Sequence, residues 1–250
     1  MINVSSIYKS FNGKDVLRGV DFNIQSGECV VVIGKSGSGK SVLLKHLLGL
    51  ISPDSGFIKI DGLNLDELTY RELQRVRSKI GMVFQSGALF DSMNVYENLK
   101  IAIDRLTNLK QNQIDDRIEQ CLDEVGMKET KLLMPSELSG GMKKRVGIAR
   151  AISFKPDYLF YDEPTTGLDP IMSDTINKLI YKFNKKNKIT TLVITHSMKT
   201  VFEIADRVLM LNNGKIYFNG SVNDIKNSKD VIISSFVNGK EILDLEYEKQ

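Results

Sequence analysis

Gly34 to Ser41 read GKSGSGKS, a run whose residue types and spacing suit the wrapping of an anion. The order Gly34, Lys35, Ser36, Gly37, Ser38, Gly39, Lys40, Ser41 fits G-x-x-x-x-G-K-[ST], the pattern of a phosphate-binding P-loop. Its glycines let the backbone come close enough for successive N–H groups to ring a phosphate. Lys40 then brings a point charge to the β and γ phosphates of a nucleotide, and Ser41 a hydroxyl for Mg²⁺. A helix beginning at the end of the loop adds the partial positive charge of its N-terminus.

A second group of chemically capable residues lies in YLFYDEPTTGLD, 158–169. An apolar run ends there at Asp162 and Glu163, and the carboxyl ends of strands are where an open α/β sheet binds ligands. Asp162 is suited to hold Mg²⁺ and its waters; Glu163, one residue on, is suited to orient and deprotonate an attacking water. Another apolar run, TTLVITHS, ends at His196. Its imidazole can donate a hydrogen bond to γ-phosphate oxygens or fill a structural role.

These residues need elements to place them. INVSSIYKSF, VDFNI, ECVVVIG and GFIKIDG, within residues 2–62, read as short β segments separated by turn residues. KSVLLKHLLGL places Leu43, Leu44, Leu47, Leu48 and Ile51 at helical spacing, and SPDSG stops it, so the P-loop sits between a strand and a helix. From about 88 to 153 the pattern turns to amphipathic helices such as NQIDDRIEQCLDEVGM, an inserted helical lobe without strands. Beyond it, YLFYDEP and TTLVITHS flank the helical stretch PIMSDTINKLIYKFNKKNK, the alternation of a parallel α/β sheet. Asn212, Asn213 and Gly214 close a hairpin, and KEILDLEYEKQ is a charged helix or tail.

Bulk properties bound the rest. With 250 residues and 42% hydrophobic composition the chain can bury a sizeable core. A net charge of +3 is too small a bias to imply nucleic acid or a membrane surface as partner. Cys29 and Cys121 lack metal-ligand spacing and read as buried, reduced thiols. The N-terminus has no secretory pattern, and no apolar run is long enough to span a bilayer, so the expectation is a soluble, cytoplasmic chain that meets membranes through another protein.

In PSELSGGMKKRVGIARAI, Leu138, Ser139, Gly140 and Gly141 resemble the signature motif of ATP-binding cassette (ABC) ATPases. P-loop, signature and YLFYDEPTTGLD follow one another in that family's order, and the resemblance runs from Ile2 to about Gly239. Ser139 is a good helix N-cap, and the two glycines expose N–H groups at a helix start as a second phosphate surface. The resemblance implies an α/β P-loop NTPase of the ABC ATPase fold, with a mainly parallel core sheet, an N-terminal antiparallel β region and a helical subdomain at about 88–153. The ATP-binding domain would span 2–238, with 239–250 a C-terminal tail. It also implies ATP and Mg²⁺ as cofactors, and a homodimer in which the signature motif of one chain covers the ATP on the P-loop of the other. Gln85 in VFQSG would sense Mg²⁺ and the attacking water, Asp169 would communicate across the dimer, and Phe11 would stack on adenine, with Tyr8 an aromatic rival.

FQSGALFDSMNVYENL and LSGGMKKRVGIARAI are similar to the Mla (MlaF-type) phospholipid-transport ATPases, a group within this superfamily. That likeness implies a separate membrane permease, a periplasmic lipid-binding subunit and a place on the cytoplasmic face of the inner membrane. The same ATPase core also serves transporters of other solutes and soluble ABC proteins. Ser197 departs from the family, which commonly has Asp after the histidine, and so leaves the anchoring of His196 open. Leu89, Phe90, Met93, Val95 and Tyr96 are either core or the lining of a groove for a short cytoplasmic helix of the permease.

Overall fold

The computed structural model describes residues 1–239, so the expected tail, apart from Gly239, lies outside the described residues. In chain order the strands are β1 (Ile2–Phe11), β2 (Lys14–Ile24), β3 (Cys29–Ile33), β4 (Ser55–Ile60), β5 (Leu63–Asn64), β6 (Ile80–Val83), β7 (Tyr158–Asp162), β8 (Thr190–Ile194), β9 (Arg207–Asn212) and β10 (Lys215–Gly220). The α-helices are α1 (Lys40–Leu47), α2 (Tyr70–Arg77), α3 (Val95–Leu106), α4 (Gln111–Glu124), α5 (Gly140–Ile152), α6 (Pro170–Lys185), α7 (Met198–Ile204), α8 (Val222–Lys226) and α9 (Val231–Asn238). The chain divides into two units, Met1–Leu68 with the segment from Ile194 onward, and Thr69–Val193.

In the first unit, β2, β1, β4 and β5 form an antiparallel sheet in that order. Asn12 and Gly13 close the β1–β2 hairpin with φ of 50° and 76°, values a two-residue turn needs if its twist is to match the strands. VDFNI is thus the second half of a longer strand that starts at Lys14. β3 runs parallel to β9, and β9 pairs antiparallel with β10 around Asn213 and Gly214, the hairpin that the Asn-Asn-Gly sequence implies. Every residue of β3 is buried, which is why CVVVI is unbroken apolar sequence instead of an alternation.

In the second unit, β6 and β7 are parallel and β8 lies on the other side of β7. Between β6 and β7 the chain is helical, and residues 88–153 contain α3, α4, α5 and short 3₁₀ turns. Ile114, Ile118, Cys121 and Leu122 bury one face of α4; Ile176, Leu179, Ile180 and Phe183 do the same for α6. Each such side chain contributes about 1.5–3 kcal/mol of transfer free energy. Helix α5 packs on α3, α4 and β6, close enough that a Cβ on Gly81 would stand 2.5 Å from Ala151 O.

Cys29 and Cys121 are buried thiols outside any disulfide, and burial pushes the Cys121 thiol up to about 12. Among the described residues no helix is long and apolar enough to cross a membrane.

Candidate active site

In the first unit the P-loop leaves β3 after Ile33 and enters α1 at Lys40. Its glycines are imposed by local geometry. Gly34 has φ 155°, and a Cβ there would stand 2.3 Å from Leu211 O. Gly39 caps α1 in the left-handed region at φ 107°, where a Cβ would meet Leu17 Cδ2 at 2.9 Å. Lys35, Ser36, Gly37 and Ser41 are exposed, whereas Ser38 is buried. Lys40 Nζ donates to Gly34 O at 2.7 Å and to Lys35 O at 3.0 Å, so the ammonium is held across the loop by the loop's own carbonyls. The first turn of α1 carries no acidic residue, and its partial positive charge is left for an anion.

His196 is exposed just beyond β8. Thr195 N donates to Val32 O of β3 at 3.1 Å, which anchors the histidine's neighbour to the strand that feeds the P-loop. Ser197 takes up the local anchoring. Its N–H donates to Thr195 Oγ1 at 3.0 Å, and its hydroxyl caps α7 by accepting from Thr200 N at 3.3 Å. At the end of β1, Phe11 is exposed with Lys9 Nζ 5.5 Å from its ring centroid. The Tyr8 ring lies against Gly19, whose Cβ would be 2.8 Å from the Tyr8 hydroxyl. Both rings are exposed, Tyr8 at 48% and Phe11 at 44%.

In the second unit Asp162 ends β7 half-buried, and Glu163 follows in the left-handed region at φ 49°. A non-glycine residue held there stores backbone strain that its surroundings must offset. Those surroundings are visible. Thr166 Oγ1 donates to Glu163 Oε2 at 3.0 Å, and Thr166 N donates to Glu163 O at 3.3 Å. Lys144 of α5, 6% exposed, donates from Nζ to Pro164 O at 2.9 Å and to Thr166 O. Burial holds the Lys144 ammonium below its usual range, opposed by the nearby Glu163 charge.

Gln85 is exposed beyond the end of β6. The turn after it, with Ala88 left-handed at φ 47°, is fixed to α5: Arg150 Nη1 donates to Ala88 O at 2.8 Å and Nη2 to Gly87 O at 3.2 Å. A Cβ on Gly147 would be 3.0 Å from Gly87 O, which is how near the helix comes. Leu138 precedes the start of α5, and Ser139 caps the helix, accepting from Met142 N at 3.3 Å. Gly140 is exposed, and nothing lies within 4 Å of a Cβ built on it. Asp169 caps α6 by accepting from Ile171 N and Met172 N, both at 2.9 Å. Met172 in turn covers Gly141, its Cε 2.5 Å from where a Cβ would be.

The apolar cluster after Gln85 divides. Val95 is fully buried in the lobe, and the half-buried Tyr96 donates its hydroxyl to Asp115. Phe90 is 49% exposed, with the Arg150 guanidinium 6.0 Å from its ring centroid. It borders a groove of about 360 Å³ with Phe84, Ala88, Ile101, Ala102 and Leu106. Asn98 shapes that border. Fully buried, its amide donates to Phe90 O, Met93 O and Asn94 O at 3.1, 2.9 and 3.0 Å, and its Oδ1 accepts from Phe90 N at 2.8 Å. Asn98, Lys144 and Arg150 are positioning residues that sequence reasoning did not single out.

Mg²⁺ keeps waters and phosphate oxygens and takes one or two protein oxygens; the Ser41 hydroxyl in the first unit and the Asp162 carboxylate in the second are each donors of that type.

Residues 17–166 match the family described as ABC transporter. The chain is 41% identical to the chloroplastic protein trigalactosyldiacylglycerol 3 of Arabidopsis thaliana, over 96% of this chain and 74% of that one. It is 40% identical to the methionine import ATP-binding protein MetN of Carboxydothermus hydrogenoformans, over 95% and 72%. It is 35% identical to the intermembrane phospholipid transport ATP-binding protein MlaF of Haemophilus influenzae, over 96% and 91%. Among solved structures, a dimeric ATP-binding cassette in a post-hydrolysis state with ADP and Pi superposes with a TM-score of 0.82 at 29% identity, covering 89% of this chain and 99% of that one.

Proposed function

The chain belongs to the ABC transporter family as an ATP-hydrolysing subunit, and from that premise we propose that it powers a separate membrane permease that moves phospholipid. The residues divide the work of hydrolysis. Residues 34–41 bind the phosphates, with Lys40 as the charge on the β and γ groups. Ser41, Asp162 and Gln85 serve Mg²⁺, which supplies charge neutralisation as the γ-phosphate leaves. Glu163 accepts the proton of the attacking water, and His196 donates to γ-phosphate oxygens. Phe11 stacks on adenine.

Ser139, Gly140 and Gly141 serve the nucleotide of a second copy, which makes the working unit a homodimer, and Asp169 passes the state of one site to the other. The exposure of Gly140 at the start of α5 supports this role. The permease places the pair on the cytoplasmic face of the inner membrane, with a periplasmic lipid-binding subunit in the same complex. Phe90 and its groove receive a short cytoplasmic helix of the permease, in the mode where a few apolar anchors supply most of the affinity.

The observation that carries the phospholipid assignment is the spelling of 84–99 and 138–152, together with the likeness to a phospholipid-transport relative along nearly the whole chain. The 40% identity to a methionine import protein favours a second reading, the same ATPase core serving another solute. The permease that co-purifies with the chain separates the two. Reconstituted with it, wild type should transfer labelled phospholipid between membranes in an ATP-dependent way. Phe90→Asp should bind ATP normally yet lose permease association and transfer; normal transfer by that variant would remove the groove assignment.

A further inference from the structure

We propose that Lys144 is a positioning residue for hydrolysis: its ammonium ties the signature-bearing helix to the turn that carries Glu163 and so sets where that carboxylate points. This rests on the reading of Glu163 as the base.

Two carbonyls, Pro164 O and Thr166 O, bracket the turn and both accept from Lys144 Nζ. The side chain is 6% exposed, so these bonds replace hydration that it has given up. Thr166 is the last link, because the residue whose carbonyl Lys144 holds also donates its hydroxyl to Glu163 Oε2 at 3.0 Å. The chain of contacts runs Lys144 Nζ, Thr166 backbone, Thr166 Oγ1, Glu163 carboxylate.

The other end of the link matters as much. Lys144 lies five residues after Ser139, within the second turn of the helix whose N-terminal Ser139, Gly140 and Gly141 serve the partner's nucleotide in the proposed dimer. The same helix grips the turn after Gln85 through Arg150. A shift of α5 as its N-terminus meets phosphate would therefore be felt at Glu163 through one buried cation. Lys144 thus makes the base of one site responsive to occupancy of the other.

The test compares Lys144→Met, which keeps length and burial without a donor, with Lys144→Gln, whose amide carries two N–H donors, and with Thr166→Val, which removes only the hydroxyl on Glu163. Folding is followed by circular dichroism and thermal unfolding, ATP binding by nucleotide titration, and turnover by phosphate release. Lys144→Met and Thr166→Val should each lower kcat by about 10- to 100-fold with ATP affinity unchanged, the cost of a misplaced catalytic group. Lys144→Gln should recover part of that rate. Should Lys144→Met fail to fold, Thr166→Val decides. A folded Lys144→Met with unchanged kcat, or with weaker ATP binding and unchanged kcat, overturns the proposal, as does a Thr166→Val that turns over normally. Glu163→Gln runs in parallel: normal turnover there would remove the reading of Glu163 as base, whereas a silent Glu163→Gln beside a normal Lys144→Met removes the Lys144 inference alone.

Discussion

Replacing Asn98 with Ala removes the clamp on residues 90–94 without touching any residue assigned to nucleotide. The side chain is fully buried; its Oδ1 accepts one hydrogen bond and its two N–H groups are shared among three carbonyl oxygens. A typical hydrogen bond contributes about 0.5–1.5 kcal/mol net, and a buried group left without a partner costs about 1–3 kcal/mol. Asn94 O keeps Asn98 N at 3.0 Å as a helical partner, and Phe90 is exposed enough for water to reach part of the rest. The expected loss is therefore about 2–4 kcal/mol, since not every group is stranded. For a chain of this size about 2–4 °C of Tm goes with each kcal/mol, so Tm should fall by roughly 5–15 °C. Asn98→Asp sharpens the test. It keeps the acceptor for Phe90 N but turns a second acceptor toward three carbonyl oxygens, so it should destabilise at least as much as Ala despite its equal size. Urea unfolding of the three proteins measures both differences. An Asn98→Ala within about 0.5 kcal/mol of wild type, the range of an uninvolved surface change, or an Asn98→Asp as stable as wild type, would refute the clamp.

Two other outcomes follow from the first unit. Lys40→Ala should weaken ATP binding by about tenfold to a hundredfold, the worth of charge-assisted contacts of about 1.5–3 kcal/mol, while circular dichroism shows the fold retained; equal affinity in a nucleotide titration would remove the P-loop assignment. His46 is 1% exposed, its Nδ1 donates to Val42 O at 2.7 Å, and its buried Nε2 has no partner. Burial lowers its pKa from 6.5, so below that pH the unfolded chain takes up the proton first and stability falls as pH drops toward the lowered folded-state value. His46→Leu should flatten that dependence in urea unfolding between about pH 7.5 and about pH 5.5; an unchanged slope would assign it to other groups.

Features whose cause lies within a few residues were legible in the sequence. The P-loop glycines, the hairpin at Asn213 and Gly214, and the cap at Ser139 are local demands on backbone conformation, and residue type answers them directly. β3 and β7 were legible because a strand buried on both faces has no polar side to interrupt its apolar run. β6 was not. It has four residues, and its Gly81 reads as a strand breaker, whereas the structure uses it to let Ala151 O of α5 come close. α2 is polar on most of its surface, and its one clear signal is the capping box of Thr69 and Glu72.

The positioning residues were hidden for a different reason, one that bears on where function sits in this chain. A lysine or arginine in a run such as MKKRVGIAR reads as a solvated face, since these side chains are seldom buried. Lys144 and Arg150 are exceptions because each meets backbone carbonyls far away in sequence, 20 and 62 residues distant for Pro164 and Ala88. No spacing rule connects such partners. Both point from α5 to turns that hold a left-handed residue, Glu163 and Ala88. The strain adjoins the residues assigned to the attacking water, and donors from one helix reach both turns. If the start of α5 meets phosphate as proposed, a helix that holds both turns can convey a nucleotide's arrival as a rigid displacement, without any rearrangement inside the loops themselves.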